Sequence, residues 1–313
     1  MDVAVVGAGI HGLSAARRLA EAGHRTVLFD PRPVGHGLGS SHGPNRIVRR
    51  AYPDAHHTAL MGEAYPLWRE LERASGTSLL HEVGLLCFGP SGGPYVAGLA
   101  QALDSQNVPY ERNAPTGDIR LQKGEAAIFV PEAGWVAASA ALQATYALAL
   151  AAGVEHVPSE AHGLERFDRV AVCAGPWVRR FWPEAPVRVT LQATAFLPTS
   201  DEGPVWIEDG PDLLYGFPGG KVGVHRAGRE VDPDDPSRRP PEDMIEAIGD
   251  FGCRRLGIDV EPTRATGCLY TVTPDEGFRF HRTDARTLVV SACSGHGFKF
   301  GPWVGVRVAR ALA

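Results

Sequence analysis

The stretch that decides the fold is DVAVVGAGIHGLSAARRLAEAGHRTVLFD, residues 2–30. Its short apolar run at 3–6 predicts a buried strand, and the spacing of apolar residues over 10–22 predicts a helix that ends at Gly23. Residues 26–29 predict a second strand, with Asp30 at its end. Strand, helix and strand in this order predict a βαβ unit at the start of a parallel sheet.

Three glycines between the first strand and the helix form the pattern G-x-G-x-x-G. Gly7 permits a tight turn, Gly9 lets the backbone approach a pyrophosphate, and Gly12 lets helix and strand pack closely. The start of the helix offers unpaired N–H groups and a positive dipole end to phosphates. Asp30 can accept hydrogen bonds from ribose hydroxyls, while its charge disfavours a 2′-phosphate. The stretch therefore predicts a dinucleotide site.

The composition is that of a folded chain with a sizeable core. At 313 residues, with 44% hydrophobic and 21% charged residues, the chain is long enough for about two domains. A net charge of −5 argues against a nucleic-acid partner, which normally requires a basic surface. Five cysteines at wide and irregular spacing indicate reduced thiols rather than a disulfide framework or a metal site.

Two apolar stretches need to be distinguished from targeting or membrane segments. The first is the apolar N-terminal stretch, which has Asp2 where a signal peptide needs a basic region. The second, at 136–154, is interrupted by Ser139, Gln143 and Thr145, which favours a buried helix over a membrane span. We therefore expect a cytoplasmic protein with no membrane partner.

Later segments alternate between helix and strand patterns. Residues 64–74 and 138–152 predict helices, and 244–256 predicts another. The run RVAVCA at 169–174 is typical of a return to the parallel sheet, whereas the alternation at 187–197 favours an antiparallel strand. No second dinucleotide pattern follows Asp30. The order predicts a nucleotide domain made of separate segments, with an antiparallel-rich domain inserted between them.

Five stretches taken together carry a family resemblance. They are VAVVGAGIHG (3–12), GSSHGPNRIVRRAY (39–52), LLYGFPGGKVGVH (213–225), GCLYTVTPDEGF (267–278) and SGHGFKFGPWVG (294–305). In this order the chain resembles monomeric sarcosine oxidase and its relatives, amine oxidases of the D-amino-acid-oxidase-like FAD superfamily. The resemblance implies an α/β (α+β) fold, with a Rossmann-like FAD-binding domain at 1–79, 136–184 and 272–313. An inserted antiparallel-sheet substrate domain then occupies 80–135 and 185–271.

The resemblance also implies FAD as the cofactor, attached through a thioether from Cys268 to the 8-methyl carbon of the flavin. His42 and Arg46 match residues close to the isoalloxazine ring, and the backbone of 295–297 would face its pyrimidine end. The full set of expected cofactor-binding residues is Gly7, Gly9, Ile10, His11, Gly12, Asp30, Ser41, His42, Arg46, Cys268, Gly295, His296, Gly297, Phe298 and Lys299.

Six residues match positions that serve the substrate or oxygen in this family. Arg49 and Lys299 would clamp a substrate carboxylate, because a guanidinium fork and an ammonium suit one small anion. Lys221 would promote the reaction of the reduced flavin with oxygen. The side chains expected to border the substrate are Tyr215, His225 and Tyr270.

The implied activity is oxidation of a secondary or N-methyl amino acid such as sarcosine to an imine, with O2 reduced to H2O2, by a monomer. Other substrates of the family stay open: a cyclic imino acid, N-methyltryptophan or a fructosyl amino acid. A flavin dehydrogenase with another electron acceptor and an FAD-binding protein without activity are further alternatives. The chain also departs from the family, because only 154–168 stands where relatives carry an antiparallel meander over the FAD domain.

Overall fold

The computed structural model describes residues 1–226, 228–235 and 237–313. The helices in these ranges are α1 Ile10–Glu21, α2 Ala55–Ser75, α3 Pro94–Ser105, α4 Ala138–Ala151, α5 Glu242–Phe251 and α6 Gly301–Leu312. The strands are β1 Asp2–Val6, β2 Arg25–Phe29, β3 Asn45–Arg49, β4 Leu80–His81, β5 Leu85–Pro90, β6 Glu111–Arg112, β7 Glu125–Val130, β8 Ala133–Ala137, β9 Glu155–Val157, β10 Arg169–Val172, β11 Arg188–Phe196, β12 Val205–Glu208, β13 Leu214–Gly216, β14 Lys221–Val224, β15 Thr263–Val272, β16 Arg279–Arg282 and β17 Thr287–Ser291. Short helical turns occur at Leu164–Arg166, Gly175–Arg180, Gly252–Leu256 and Gly297–Phe300.

A six-stranded sheet contains the predicted βαβ unit. Its strand order is β16–β17–β10–β1–β2–β9, and all neighbours are parallel except β16 and β17. The chain leaves β1 through α1 to β2 on one side, while β10 lies on the other side. The carboxyl end of β1 is therefore a topological switch point, where α/β sheets form their ligand crevice.

Both faces of this sheet are covered by apolar side chains. On one face α1 packs between α4 and α6, with Leu13, Val304 and Val308 in a common core. On the other face Val6 and Val172 belong to an apolar cluster. The partly buried side chains of Leu164, Phe167 and Trp182 pack against this cluster. The short segment at 154–168 adds β9 to the sheet edge and helps cover this face, so the face is not left open.

The second sheet has eight strands in the order β15–β11–β14–β13–β12–β5–β7–β6. Its neighbours are antiparallel except for β12 and β5. Alternate residues of β5 point to opposite faces: Leu85 packs in the cluster with α3, and Leu86 in the cluster with α5. The antiparallel strand predicted at 187–197 is confirmed as β11.

A small third sheet has the strand order β3–β8–β4. The strands of the six-stranded sheet come from the segments predicted for the FAD domain, while β3 and β4 of the small sheet come from different predicted domains. Because the small sheet joins the two sets of segments, the division into two domains stays a prediction.

Three elements differ from the expectation. Helix α2 begins at Ala55 rather than residue 64, because the Asp54 side chain caps it by accepting from the His57 N–H. The run PEAG at 131–134 predicts a turn, whereas the structure has strand β8 at 133–137. The helix predicted at 244–256 ends at Phe251 and continues as a wider turn over Gly252–Leu256. No helix in the described ranges combines the length and the apolar character needed to cross a bilayer.

Candidate active site

One large cavity of about 560 Å³ lies between the switch point of the six-stranded sheet and strands β11, β13, β14 and β15 of the second sheet. This volume is within the range of cofactor and small-molecule sites. It brings together nearly all the residues that the sequence singles out: Gly7, Gly9, Ile10, His11, Asp30, Ser41, His42, Arg46, Arg49, Tyr215, Lys221, His225, Cys268, Tyr270, Gly295, His296, Gly297, Phe298 and Lys299. Gly12 does not line the cavity but stands behind it.

The glycine turn leaves no room for side chains. Gly7 has φ +100°, and a β-carbon there would lie 2.5 Å from the carbonyl oxygen of Cys173. A β-carbon at Gly9 would lie 3.1 Å from the Oγ of Ser41, and one at Gly12 would overlap the carbonyl oxygen of Gly7. Gly12 thus acts through packing, as its place in the pattern predicts, and not through contact with a ligand.

Asp30 ties the end of β2 to the glycine turn. Its Oδ2 accepts from the Ala8 N–H at 2.7 Å and its Oδ1 from the Arg32 N–H at 2.9 Å. Each carboxylate oxygen has a further lone pair for a ribose hydroxyl. The Oγ of Ser41 accepts from the Ile10 N–H at 3.2 Å, so the loop after β2 closes over the first turn of α1.

His11 connects α1 to the segment at 295–299. Its Nε2 lies 3.0 Å from the carbonyl oxygen of Gly297, which can only accept, so Nε2 carries the proton. Burial lowers the pKa of His11, which keeps the ring neutral. The ring therefore holds the backbone of 295–299 against the start of α1.

The predicted carboxylate clamp is brought together around Tyr52. The Arg49 guanidinium carbon lies 4.3 Å and the Lys299 Nζ 5.4 Å from the centre of the Tyr52 ring. Arg49 donates to the Tyr95 hydroxyl at 2.7 Å and to the Ala51 carbonyl, while its buried Nε has no partner among the described residues. Lys299 donates to the Tyr52 hydroxyl at 3.1 Å. Burial lowers the pKa of Lys299 well below its usual value, and the charges of Arg49 and Arg46 act in the same direction.

Lys221 forms a separate cationic point on β14. Its Nζ donates to the backbone oxygen of Asn45 at 3.2 Å and to the Asn45 Oδ1 at 3.0 Å, and it lies 4.9 Å from the centre of the Phe217 ring. Burial lowers the pKa of Lys221 to about 7, and the charge of Arg46 contributes. Such a lysine can be charged or neutral near physiological pH.

Arg46 and His42 lie in the loop and strand that follow Ser41. Arg46 donates to the carbonyl oxygens of Asn45, Ser40 and His42, and its guanidinium carbon lies 5.6 Å from the Phe298 ring centre. The buried Nε2 of His42 has no partner within the described ranges. Burial, assisted chiefly by the charge of Arg46, lowers the pKa of His42 to about 4.

Aromatic and imidazole side chains border the cavity on the side of the second sheet. The His225 Nδ1 lies 3.5 Å from the Tyr270 hydroxyl. Burial lowers the pKa of His225 to about 4, and the charges of Arg49 and Lys299 act in the same direction. Burial also raises the pKa of Tyr215, so it remains protonated. Cys268, half-buried on β15 opposite Gln192, reaches the same cavity.

These features fit a flavin dinucleotide. The glycine turn and Asp30 suit the pyrophosphate and a ribose, and the unpartnered His42 Nε2 is a polar atom that a ring system could satisfy. The sequence gives no role to Asn45, Tyr52 and Tyr95, which hold the cations in place. One available signal is that the chain has only three lysines, Lys123, Lys221 and Lys299, and two of them line the cavity.

Comparison with known proteins agrees with this site. Residues 2–311 match the family model described as FAD dependent oxidoreductase. The chain is 29% identical over 360 residues to monomeric sarcosine oxidase of Bacillus sp. strain NS-129, covering 99% of this chain and 92% of the relative. It is 27% identical over 345 residues to N-methyl-L-tryptophan oxidase of Yersinia pestis strain Pestoides F, covering 97% and 92%. The open form of NikD, an unusual amino acid oxidase, superimposes with a TM-score of 0.84 at 25% identity, covering 100% of this chain and 93% of that one.

The fold and the site define a flavoprotein of the amine-oxidising class. The chain belongs to the FAD-dependent oxidoreductase family, and within it resembles the sarcosine-oxidase-like enzymes that act on CH–NH donors. The family resemblance and the α/β fold expected from the sequence are confirmed.

Proposed function

We propose that the chain is an FAD-dependent oxidase of secondary or N-methyl amino acids, with sarcosine as the first substrate to test. The observation that carries this proposal is the pair of buried cations around Tyr52, Arg49 and Lys299, at one end of the cavity. The Arg49 guanidinium and the Lys299 ammonium both line the cavity, and together they can bind the two oxygens of one carboxylate.

The cofactor would extend through the cavity from the glycine turn toward the second sheet. Its pyrophosphate would bind at the glycine turn and the start of α1, a ribose at Asp30, and the ring system near His42 and Arg46. When bound, FAD supplies the two-electron acceptor for the amine and the electron donor for O2. In this proposal the FAD-binding domain would contain the six-stranded sheet, and the substrate domain would contain the eight-stranded sheet.

The residues of this chain bind and orient the substrate for removal of two electrons. With the carboxylate on Arg49 and Lys299, the amine would lie beside Tyr215, His225 and Tyr270, whose aromatic walls exclude water. An N-methyl amine that loses a hydride from carbon and a proton from nitrogen becomes an imine, which water hydrolyses. The substrate must bind as the neutral amine, so we expect activity to rise with pH until that amine is deprotonated.

Lys221 would serve the second half of the reaction, in which O2 takes two electrons and two protons and becomes H2O2. The Lys221 ammonium, buried in the cavity wall, would stabilise the negative charge that forms on oxygen. This position argues for an oxidase rather than a dehydrogenase that passes electrons to another acceptor. We also propose that the protein is a monomer and is located in the cytoplasm. Sedimentation of the purified protein would test whether it is a monomer.

A substrate panel tests the proposal directly. The FAD-loaded protein is given sarcosine, proline, N-methyl-L-tryptophan and fructosyl glycine in air, and H2O2 is measured. Sarcosine amide, which differs from sarcosine only in lacking the carboxylate charge, is the matched control. We expect peroxide from at least one of the amino acids and little from the amide. Equal oxidation of sarcosine and its amide would contradict the carboxylate clamp, and flavin reduction without peroxide would indicate a dehydrogenase.

A covalent link to FAD is a separate part of the proposal, and it rests on the position of Cys268 in the cavity wall. After denaturation in acid we expect the yellow colour to stay with the polypeptide. Cys268→Ser should release it, whereas Cys293→Ser, at a second cysteine of the same cavity, should not. Colour that leaves the unaltered protein would show that the cofactor is not covalently bound.

A further inference from the structure

Tyr52 is buried against both cations but is not among the residues that line the cavity. It follows strand β3 and is only 5% exposed. A side chain in this position cannot touch a substrate in the cavity, and the reaction proposed above gives it no chemical step. Its contacts with groups that do line the cavity therefore define its role.

A chain of three hydrogen bonds runs from the backbone of Glu276 to Lys299. The His296 Nε2 lies 3.1 Å from the carbonyl oxygen of Glu276, the His296 Nδ1 lies 3.0 Å from the Tyr52 hydroxyl, and that hydroxyl accepts from the Lys299 Nζ at 3.1 Å. The Glu276 carbonyl and the Lys299 Nζ each take part in one hydrogen bond of this chain, whereas the His296 ring and the Tyr52 hydroxyl each take part in two.

The direction of every hydrogen bond in this chain is determined. A carbonyl oxygen can only accept, so the His296 Nε2 carries the proton. Burial, with the charge of Lys299 next in importance, lowers the pKa of His296 well below its usual value, so the ring is neutral and its Nδ1 accepts. The Tyr52 hydroxyl therefore donates to His296, and its oxygen is left to accept from Lys299.

The Tyr52 ring contacts the second cation, the Arg49 guanidinium. The guanidinium of Arg49 lies over it at 4.3 Å, where the negative face of the ring attracts a cation. His57 stacks on the same tyrosine at 5.2 Å with an interplanar angle of 27°, and the Asp54 carboxylate lies 3.0 Å from the His57 Nδ1. Packing and hydrogen bonds thus hold Tyr52 in one rotamer.

We propose that Tyr52 and His296 are positioning residues that hold Lys299 and Arg49 as a two-point receptor for a carboxylate. This inference rests on the proposed function. Without the chain, the Lys299 Nζ has no described acceptor to orient it, and two buried cations repel one another. With it, one tyrosine fixes the ammonium through its oxygen and the guanidinium through its ring.

The test compares two ligands that differ only in charge, 2-furoate and 2-furamide. Their dissociation constants are measured on the FAD-loaded protein from the change in flavin absorbance. Tyr52→Phe keeps the ring and removes the hydroxyl, so we expect it to weaken furoate binding about tenfold, the size of one hydrogen bond to a charged group, and furamide binding less than about twofold. Tyr65→Phe is the matched control, because the Tyr65 hydroxyl donates to the Glu132 carbonyl outside the cavity.

His296→Gln is the second variant, for the case in which Tyr52→Phe does not fold. The glutamine amide can still donate to the Glu276 carbonyl but offers Tyr52 no acceptor at the Nδ1 position, so we expect roughly a 3–10-fold loss for furoate alone. If furoate and furamide weaken equally, or neither weakens, Tyr52 and His296 do not position the receptor, although the proposed function stands. If the unaltered protein binds no furoate and oxidises none of the amino acids, the carboxylate receptor itself is wrong.

Discussion

The two ends of the cavity are built from different kinds of chemical group, mainly backbone groups at one end and charged side chains at the other. The nucleotide end consists of the glycine turn, the start of α1 and the Asp30 carboxylate, and most of its polar groups belong to the backbone. The substrate end consists of buried side chains that belong to distant parts of the chain, among them Arg49, Lys221 and Lys299. Backbone groups bring their hydrogen-bond donors without added charge, whereas the side chains bring several positive charges into a small buried volume.

This difference predicts where charge repulsion adds to burial in shifting pKa values. At the substrate end, burial and neighbouring cations lower the pKa values of Lys221, Lys299, His42 and His225. At the turn formed by Gly7, Gly9 and Gly12, burial also lowers the pKa of His11, but no neighbouring cation contributes to that shift. Repulsion between cations therefore makes stability and activity depend on pH and on bound anions at the substrate end.

The largest effect is expected at the nucleotide end. In Gly12→Val the new side chain would overlap the backbone oxygen of Gly7, which cannot move without breaking the turn. We expect a loss of more than about 4 kcal/mol of stability and no retained FAD. FAD content per chain and circular dichroism measure this, and Gly92→Val, at an exposed glycine with free space around it, is the control. Normal FAD content in the Gly12 variant would contradict the conclusion that the turn requires close packing of Gly12 against Gly7.

The next largest effect separates the two half-reactions at the substrate end. Lys221→Met removes the cation near oxygen, so we expect reoxidation by O2 to slow by about 10²–10³-fold, while anaerobic reduction by substrate changes by less than about threefold. Because the pKa of Lys221 is about 7, part of the oxygen reactivity of the unaltered enzyme should fall as pH rises and the lysine loses its charge. Stopped-flow absorbance measures both rates, with the exposed Lys123→Met as control. Equal slowing of both half-reactions would refute the assigned role.

Acid should destabilise the substrate end in particular. His42 and His225 have pKa values of about 4 in the folded protein, compared with about 6.5 when unfolded. Between these values the unfolded state binds more protons, so the free energy of unfolding falls as pH decreases, by roughly 2 kcal/mol per histidine from pH 7 to 5. Denaturant unfolding of the apoprotein at both pH values measures it. His225→Gln should reduce the loss, and exposed His162→Gln should leave it unchanged.

The smallest effect concerns the acid at the nucleotide end. Asp30→Asn keeps the shape of the side chain but removes the charge and one acceptor oxygen, so the hydrogen bonds to Ala8 and Arg32 cannot both be kept in full. We expect FAD to bind about tenfold more weakly. The measurement is made in a Cys268→Ser background so that dissociation can be followed by fluorescence. Unchanged affinity would mean that Asp30 serves only the turn.

Much of the nucleotide end could be predicted because its parts are close together in the chain. Strand β1, the glycine turn, α1 and Asp30 lie within thirty residues, and each has a local pattern. Strand β8 was not predicted, because its alanine and glycine content resembles a turn and only its pairing with β3 and β4 makes it a strand.

The side-chain supports of the substrate end were not predictable in the same way. Asn45 on β3 holds Lys221 on β14, and Tyr52 holds Lys299 in the turn Gly297–Phe300. Each pair is far apart in the chain and is joined only by folding. Nothing in the local pattern around Tyr52 distinguishes a support for two cations from an ordinary core tyrosine.

The sequence by itself determined the class of fold, the place of the dinucleotide and the family, because local periodicity and glycine geometry act over a few residues. Only the tertiary structure decided which charged groups meet, how deeply they are buried and which side chain contacts two of them. The physical reason is that burial and Coulomb interactions depend on distances in space, and these arise when the two sheets close on one cavity.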